Sequence, residues 1–427
     1  MWQPLATAVL IAIVPGQLSA QTLWRVDAGN PPGTDFLDVP EAVAAAAPGD
    51  VILVGLESGV FYTAPTIDKP LTLVSDPEPV PGSVALPSLL GTLRIEGVTG
   101  ALPVRVDGFG VAGALPDEPA LVVRGCDAPV LLQGLSIEPA APSAALGVTR
   151  DAVRIEDSGP VVLTRSGIDS FGGFVFNEPG YRGLHAVDSE LFLFRSEVDG
   201  ADGMNAYFLG GSIGVVQASD GMAAAVVGGG RLFLSDASVR GGRGGNGLLS
   251  SGCNPPGDGG DALVVSGGAS VVRIDSVIVG RPAGSPGTGC PSGTDGVAFV
   301  NGGGSLQPLP GPAPGVDPYR LIWRAGDVAT YVFEGPPGQL VTLAVSTVVA
   351  PLELPILPGV LLPLPTAPLD LGAIPGTGEL PLSFTVPALP PGVDVRVLQL
   401  QAVHLDLLLG AARLGPPLNA VWVAAGP

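Results

Sequence analysis

The sequence predicts an all-β protein in which a solenoid of short stacked strands is followed by a small antiparallel β-sandwich. Gly (64 residues) and Pro (46 residues) make up about a quarter of the 427 residues. Between them, Val, Leu and Ile recur in short alternating runs, a pattern typical of strands joined by turns. One apolar phrase repeats between residues 103 and 279, and it is absent after residue 318, where Leu-Pro pairs become frequent.

The first twenty residues have the pattern of a secretory signal peptide. An apolar run from Leu5 to Val14 precedes Pro15, and small residues end at Ala20, so we expect cleavage before Gln21. A membrane anchor is the alternative, but the run is shorter than the roughly 18 residues that a spanning helix needs. We therefore expect a protein that is secreted to the extracellular space or the periplasm and has no membrane span.

A short helix and a strand open the mature chain. Residues 36 to 54, FLDVPEAVAAAAPGDVILV, place Pro40 in the first turn of an Ala-rich run that ends at Pro48 and Gly49. Together with TAPTIDKPLTLVSD, residues 63 to 76, this string resembles the start of secreted right-handed parallel β-helix proteins of the pectate-lyase-like superfamily. The resemblance implies a right-handed parallel β-helix with a short N-terminal capping helix over its open end.

An internal repeat predicts stacked coils independently of that resemblance. In each copy, two apolar residues two positions apart are followed five positions later by a third. The copies are PVRVDGFGV (103 to 111), PVLLQGLSI (129 to 137), PVVLTRSGI (160 to 168), ELFLFRSEV (190 to 198), RLFLSDASV (231 to 239) and SVVRIDSVIV (270 to 279), the last aligned through Val272, Ile274 and Val279. A constant phrase at variable spacing indicates coils with loops of different length inserted at one corner.

The composition changes after residue 300, where NGGGSLQPLPGPAPGVDP forms a Pro/Gly-rich stretch. Five or more short apolar runs separated by Pro/Gly turns follow it, as expected for an antiparallel sandwich. The predicted units are a signal peptide (1–20), a right-handed parallel β-helix (21–305), a linker (306–318) and a β-sandwich-like C-terminal domain (319–427).

Charge and motif content limit the possible functions. The net charge of −20 argues against nucleic acid as a partner and would repel polyanionic glycans unless cations bridge them. Polygalacturonase-like hydrolases of the superfamily carry Asn-Thr-Asp, Asp-Asp, His-Gly and Arg-Ile-Lys motifs, and this sequence contains none of them. With only His185 and His404, the sequence also disfavours a His-based zinc site.

The stretch RGGRGGNGLLSSGCNPPGDGGDAL, residues 240 to 263, contains a formal dinucleotide-binding fingerprint at Gly242, Gly244 and Gly247. Such a fingerprint needs a following helix whose N-terminus holds the pyrophosphate. The segment LLSSGCNPPGDGG cannot form that helix. We interpret the stretch as a structural loop that leaves one rung and returns to it.

The same loop contains a weak calcium signal. GGDALV, residues 259 to 264, matches the second half of a calcium-binding nonapeptide, but Pro256 breaks the first half. Calcium prefers oxygen ligands, so Asp258, Asp261 and Asp295 are candidate calcium ligands. Solvated loop acids are the alternative, and calcium is the only cofactor that the sequence suggests.

Cys253 and Cys290 are predicted to form a disulfide. Cys253 lies 14 residues after Val239, and Cys290 lies 11 after Val279, so the two occupy nearly equivalent places on neighbouring rungs. A rung spacing of roughly 4.8 Å falls within the Cα separation that a disulfide needs. Export makes oxidation possible, and two free thiols are the alternative. Cys126 is expected to be buried in a coil turn.

Aromatic residues are scarce but concentrate between residues 171 and 208, with charged side chains among them. Rings and acids on a side loop of a β-helix suit a sugar, which stacks on the rings and hydrogen-bonds at its edges. The alternative is that the rings pack the loops onto the coil. The candidate carbohydrate-binding residues are Asp169, Phe174, Phe176, Glu178, Tyr181, Arg182 and His185.

Two functional hypotheses follow. The first is an exported, non-enzymatic β-helix protein of surface, matrix or carbohydrate-binding type, whose partners are extracellular polysaccharides or cell-surface components. The second is a polysaccharide lyase, epimerase or other carbohydrate-active enzyme. Some lyases of the superfamily use an outward Arg as base, and Arg154-Ile155-Glu156 is one of five Arg-apolar-acid triplets here. Weak, solvated ion pairs between rungs are the simpler explanation of those triplets. The fold itself hosts both functions.

Overall fold

The computed structural model describes residues 21 to 424, except residues 58, 77–85, 116–117, 141–149, 171–180, 209–214, 249–252, 319–321, 348, 355–356, 364–366 and 408–409. Residues 1 to 20, the predicted signal peptide, lie outside the described part, so export stays a prediction. Among the described residues there is no helix long and apolar enough to span a membrane.

A helix, α1 (Val39–Ala45), covers the first coil. The carboxylate of Asp38 caps it by accepting the backbone N–H groups of Val39 and Thr63, both at 2.8 Å. Pro40 in the first turn needs no hydrogen-bond partner for its nitrogen. The helix buries Val39, Ala42 and Val43 against the first rungs, as predicted for a capping helix.

The coil consists of short strands. In chain order they are β1 (Leu23–Val26), β2 (Val51–Gly55), β3 (Phe61–Thr63), β4 (Thr66–Ile67), β5 (Thr72–Asp76), β6 (Ser88–Leu90), β7 (Leu93–Glu96), β8 (Val104–Asp107), β9 (Gly110–Ala112), β10 (Leu121–Arg124), β11 (Val130–Gln133), β12 (Ser136–Glu138), β13 (Arg150–Glu156), β14 (Pro160–Thr164), β15 (Gly167–Ile168), β16 (Tyr181–Val187), β17 (Glu190–Phe194), β18 (Glu197–Asp199), β19 (Tyr207–Phe208), β20 (Val215–Val216), β21 (Ala225–Gly228), β22 (Arg231–Ser235), β23 (Ser238–Arg240), β24 (Leu263–Ser266), β25 (Ser270–Ile274), β26 (Val277–Val279), β27 (Phe299–Gly302) and β28 (Ser305–Leu309).

These strands form three long parallel sheets, and β19 and β20 pair as a separate hairpin. Sheet A contains β1, β2, β5, β8, β11, β14, β17, β22, β25 and β28; sheet B contains β3, β6, β9, β12, β15, β18, β23 and β26; sheet C contains β4, β7, β10, β13, β16, β21, β24 and β27. Each full rung passes from C to A to B and returns to C one rung further on. The predicted right-handed parallel β-helix is therefore confirmed, and β28 continues the coil to Leu309, inside the range assigned to the linker.

Inward Val, Leu and Ile residues stack in columns between the sheets, because strand pairing places equivalent residues of successive rungs side by side. Ile137, Ile168 and Val198, which close three copies of the repeat, pair in register in sheet B. In the sixth copy the register differs by one residue from our alignment: Val239 pairs with Ile278, not Val279. Because the side-chain period of a strand is two, this shift turns Val272 and Ile274 outward.

The corners of the coil are also stacked. Six A-to-B corner residues have positive φ, where glycine and Asp are tolerated best: Gly108, Gly134, Arg165, Arg195, Asp236 and Asp275. At the C-to-A corner, Ser189 donates its hydroxyl to its own strand and accepts the N–H of Ser158, whose hydroxyl accepts the N–H of Cys126 at 3.4 Å. Cys126 thus occupies the serine position of an earlier rung, and burial raises the pKa of its thiol.

The remaining strands build the C-terminal module. They are β29 (Gly315–Pro318), β30 (Ile322–Arg324), β31 (Val328–Glu334), β32 (Leu340–Ser346), β33 (Val349–Leu354), β34 (Leu357–Pro363), β35 (Ala367–Ala373), β36 (Glu379–Thr385), β37 (Val395–Asp406), β38 (Ala411–Leu414) and β39 (Leu418–Val423). A three-stranded sheet (β29, β31, β36) and a larger sheet (β30, β39, β37, β32, β35, with β38) enclose an aromatic core that includes Trp323, Tyr331 and Phe384. All pairs but β30–β39 are antiparallel, as predicted for a sandwich.

The module docks on the outer face of sheet A. Leu131, Val162, Phe192, Phe194, Phe233 and Ile274 of the coil form one buried cluster with Val349, and Val51, Leu53 and Val74 form another with Ile322, Val395, Val397, Val421 and Val423. Phe192 and Phe194 therefore serve docking and do not line a sugar site. Burying a Phe or Val side chain contributes roughly 1.5 to 3 kcal/mol, so this face holds the module firmly.

A polar seam lies between the two apolar clusters. Asn419 of the module donates its side-chain N–H to Asp107 at 2.8 Å and its backbone N–H to Gln133 at 2.9 Å. Asp107 is 1% exposed, and burial raises its pKa from 3.8 to about 7, although the hydrogen bond from Asn419 and the charge of Arg105 oppose that rise. Arg105 is also buried, and its Nε and Nη2 meet no acceptor among the described residues.

Candidate functional site

Three connections at the B-to-C corner stand out because they pack on one another as a bundle. They follow β18, β23 and β26, and we call their described residues (200–206, 217–224, 241–248, 253–262 and 280–298) the glycine bundle. Gly241, Gly244 and Gly247 donate their N–H groups to the carbonyls of Val279, Pro282 and Ser285. Donors and acceptors thus advance together by three residues, the period of a polyproline-II helix.

Glycine is required where these segments touch. A Cβ on Gly242 would lie 1.8 Å from the carbonyl oxygen of Ala201, and one on Gly245 would lie 1.8 Å from that of Met204. Real side chains never approach a carbonyl so closely. The glycines of residues 240 to 263 therefore allow backbones to pack together. Their spacing of three is the sequence signal for this bundle, and it differs from the spacing of a dinucleotide-binding fingerprint.

The candidate calcium ligands lie on this bundle. Asp258, Asp261 and Asp295 each accept a backbone N–H from a neighbouring segment, at 2.6, 2.8 and 2.9 Å. Within the described ranges, no three His, Cys, Asp or Glu side chains are grouped closely enough to hold a metal ion. The carboxylates thus have structural partners, and calcium binding by them stays a prediction.

The predicted disulfide is present. Cys253 and Cys290 are bonded, with their Cα atoms 5.2 Å apart and a sequence separation of 37. Cys126 is free and buried. The bond joins two neighbouring connections of the glycine bundle.

Removing this disulfide should loosen the bundle. We expect the Cys253→Ser, Cys290→Ser double variant to lose roughly 3 to 4 kcal/mol of stability, since closing a loop of this size restricts the unfolded chain. Urea unfolding with and without dithiothreitol measures the loss. Cys126→Ser should respond to reductant like the wild type. Non-reducing peptide mapping that finds Cys126 in the linked pair would contradict the assignment.

A cavity of about 310 Å³ opens where the glycine bundle meets sheet B. Its charged lining consists of Asp169, Asp199, Asp202, Arg243 and Arg281, and we call it the Asp199 pocket. Asp169 follows β15, Asp199 ends β18 and Arg281 follows β26, so successive rungs bring them to the same corner. The loop glycines Gly200 and Gly241 complete the wall and let the charged side chains line it.

Asp199 is the most perturbed group of this pocket. Burial raises the pKa of its carboxyl, and the charges of Glu197 and Asp169 raise it further, while Arg240 and Arg281 act in the opposite direction. Its Oδ1 is buried and meets no donor among the described residues. The Nη1 of Arg240 lies 4.0 Å from Oδ2. The Asp199 side chain as a whole is 28% exposed, so this carboxyl is still accessible from the polar cavity and is suited to accept a hydrogen bond from a hydroxyl group.

The structure divides the candidate carbohydrate-binding residues. Asp169 lines the Asp199 pocket, whereas Tyr181 is fully buried beside Arg150, whose guanidinium carbon lies 6.0 Å from the ring centre. Arg182 and His185 belong to a different group of side chains on sheet C. Phe174, Phe176 and Glu178 lie outside the described residues.

That second group surrounds Asp151, and we call Asp151, Arg154, Arg182 and His185 the Asp151 cluster. The Asp151 carboxylate has no exposed surface. It accepts hydrogen bonds from Arg182 Nε at 2.7 Å and Arg154 Nε at 3.1 Å, and His185 Nδ1 lies 3.2 Å from it. Burial alone would raise the pKa of Asp151, but the contacts with His185 and Arg182 outweigh it and lower the pKa.

Sequence reasoning did not single out Asp151 or Asp199. Each lies near the end of a β-helix strand, and acids at such positions are common in this sequence. An available signal was that Asp169 and Asp199 follow the closing residues Ile168 and Val198 at the same offset, which places two acids on neighbouring rungs.

The topology and the docked module define a right-handed parallel β-helix protein with a C-terminal β-sandwich module. No protein-family model matches the chain, and no curated protein is similar to it in sequence. Among solved structures, it is similar to full-length tailspike protein 2 of Escherichia coli O157:H7 bacteriophage CAB120 (10% identity, TM-score 0.27, 89% of this chain and 56% of that chain). It is also similar to the enzymatically active domain of tailspike protein 2 of bacteriophage CBA120 (9% identity, TM-score 0.25, 89% and 67%).

The chain thus spans little more than half the length of the full-length tailspike. At these TM-scores the likeness carries no argument about function. The fold assignment rests on the strand pairing of this chain.

Proposed function

We propose that this protein is an exported, non-enzymatic β-helix protein of surface or matrix type that binds carbohydrate in the Asp199 pocket. The observation that carries the proposal is a polar cavity of about 310 Å³ lined by three carboxylates and two guanidinium groups. Sugar hydroxyls both donate and accept hydrogen bonds, so alternating acceptors and donors in a concave site match them.

The location of the pocket supports the same function. Sheet A is covered by the C-terminal module, so its outer face is closed to a large ligand. The pocket lies instead at the corner between sheets B and C, where Asp169 and Asp202 are exposed and a polymer could approach from the side. Its walls come from rigidly paired strands and from the hydrogen-bonded glycine bundle, so a sugar would meet a preformed site.

Asp199→Asn is expected to weaken binding of a carbohydrate ligand about tenfold or more, because a hydrogen bond to a charged group contributes roughly 1.5 to 3 kcal/mol. A glycan array, with and without calcium, identifies a ligand, and calorimetry measures its affinity. Asp370→Asn, an exposed carboxylate of the module, is the control and should bind like the wild type. If no glycan binds, or if Asp199→Asn binds as tightly as the control, the proposal is wrong.

A second candidate function, cleavage of a glycan, is favoured by one observation. Asp199 has a raised pKa and lies in the same pocket as Asp169. Two carboxyls in one cavity, one of them with a raised pKa, are the groups that general acid and base catalysis of glycoside hydrolysis uses. A depolymerisation assay on every glycan that binds separates the two functions. Product formation that disappears with Asp199→Asn supports an enzyme. If no product forms on a broad panel of acidic and neutral glycans, only the binding function is supported.

A further inference from the structure

The Asp151 cluster has the composition of an anion-binding site. We propose that it binds a tetrahedral oxyanion, the sulfate or phosphate ester group of a ligand, through Arg154, Arg182 and His185. The site lies on β13 and β16 of sheet C, whereas the buried clusters that the module forms with the coil lie on sheet A. It is separate from the Asp199 pocket and does not depend on the proposed function.

One buried carboxylate orients both guanidinium groups of the cluster. Arg154 and Arg182 both use Nε to donate to the buried Asp151 carboxylate. A guanidinium has five donor hydrogens, and the four on its Nη atoms are left for other acceptors. The side chains of Arg154 and Arg182 are 36% and 20% exposed, so their remaining donors are within reach of a ligand in solvent. Asp151 therefore acts as an anchor that orients two cations.

The charge balance of the described side chains also favours an anionic ligand. Glu156 lies 3.6 Å from Arg154, but it is also paired with Arg124, whose Nη2 is 2.6 Å from it. Among the described residues, three guanidinium groups thus face two carboxylates, and His185 adds a further charge whenever it is protonated. This is a local positive excess on a chain whose net charge is −20. An anionic ligand group would neutralise it.

The number of donor groups in the cluster matches a tetrahedral oxyanion. Two guanidinium groups and one imidazole converge on Asp151, so three donor groups lie side by side above one buried anchor. A carboxylate offers two oxygens, whereas a sulfate or phosphate monoester offers three terminal oxygens. Guanidinium groups bind such oxygens with short, charge-assisted hydrogen bonds. The count therefore favours a tetrahedral oxyanion over a uronate.

The test uses calorimetry on the full-length protein in chloride buffer. Inorganic sulfate and inorganic phosphate are the first probes, followed by galactose 6-sulfate, galactose 6-phosphate, galacturonate and galactose. We expect at least one ester to bind about tenfold or more tightly than galacturonate and galactose, and comparison of the two esters shows which source of the oxyanion is preferred.

Arg154→Gln is the decisive variant. Arg182 and His185 still hold Asp151 in it, so we expect it to fold with an unchanged melting temperature and to bind the preferred ester about tenfold more weakly. Arg94→Gln, which changes a half-buried arginine two rungs away on the same sheet, is the matched control and should bind like the wild type. Arg182→Gln is a second test variant: if it folds, it should also bind the preferred ester more weakly than the wild type does.

The inference is overturned if no probe binds, if galacturonate binds best, or if Arg154→Gln and Arg94→Gln bind alike. If only the carbohydrate function proposed above is wrong, the result is distinguishable: Asp199→Asn does not change the affinity for neutral glycans, while Arg154→Gln still weakens binding of the ester.

Discussion

Replacing Asp107 with asparagine is expected to remove a strong pH dependence from the free energy of unfolding. Burial at the seam between coil and module raises the pKa of Asp107 from 3.8 to about 7. Between these pH values the folded protein therefore binds a proton that the unfolded chain does not. The stabilisation from this proton is complete below about pH 4, decreases as the pH rises, and is absent above about pH 7.

The asparagine variant has no such proton to lose. Its amide can still accept the hydrogen bond from Asn419, so the contact across the seam remains. Its stability relative to the wild type should increase from pH 4 to pH 7 by up to about 4 kcal/mol, since one pKa unit corresponds to about 1.4 kcal/mol. Above pH 7 the difference should stay constant.

Urea unfolding of both proteins at several pH values between 4 and 8 measures this difference. Asp370→Asn, an exposed acid of the module, is the control and should differ from the wild type by a constant amount. Equal pH profiles for wild type and Asp107→Asn would mean that the carboxyl is not buried at a docked interface. The test therefore also examines whether the module sits on sheet A in solution.

Gly245→Ala is expected to disrupt the glycine bundle. The new methyl group would lie 1.8 Å from the carbonyl oxygen of Met204, and a main-chain carbonyl in a hydrogen-bonded segment cannot rotate away. We expect a local cost beyond the roughly 3 kcal/mol at the upper end of ordinary overpacking. Amide hydrogen exchange of Gly241, Gly244 and Gly247 should accelerate about 100-fold or more, because local opening then requires less free energy.

Gly167→Ala is the matched control. It makes the same chemical change, but the added methyl group has no atom within 4 Å and the backbone does not have positive φ. It should leave exchange in the bundle unchanged. Slow exchange in Gly245→Ala would contradict the packing described here. Because Gly241 and Arg243 line the Asp199 pocket, carbohydrate binding should be lost together with protection in the bundle.

Features that repeat along the chain could be predicted from the sequence. Each rung of a solenoid contacts only its neighbours, so the alternation of inward residues such as Ile137, Ile168 and Val198 contains enough information to identify the coil. The Cys253–Cys290 bond was predictable for the same reason, whereas the helix was predicted from Pro40 in its first turn and its capping role from the resemblance to secreted β-helix proteins. In the sixth copy our alignment was wrong by one residue. Residues 277 to 279 are all apolar, so the pattern does not show which of them points inward.

Features that depend on distant segments were decided by the tertiary structure. Asn419 meets Asp107 across 312 residues, and no local pattern encodes that contact. The run of Phe192, Leu193 and Phe194 indicates burial on both faces of its strand, but not which unit covers the outer face. The Asp199 pocket and the Asp151 cluster likewise form only when strands from successive rungs align their side chains. The sequence by itself determined the coil, because its contacts are local and periodic, whereas the docking of the module and the grouping of charges at the candidate sites required the folded chain.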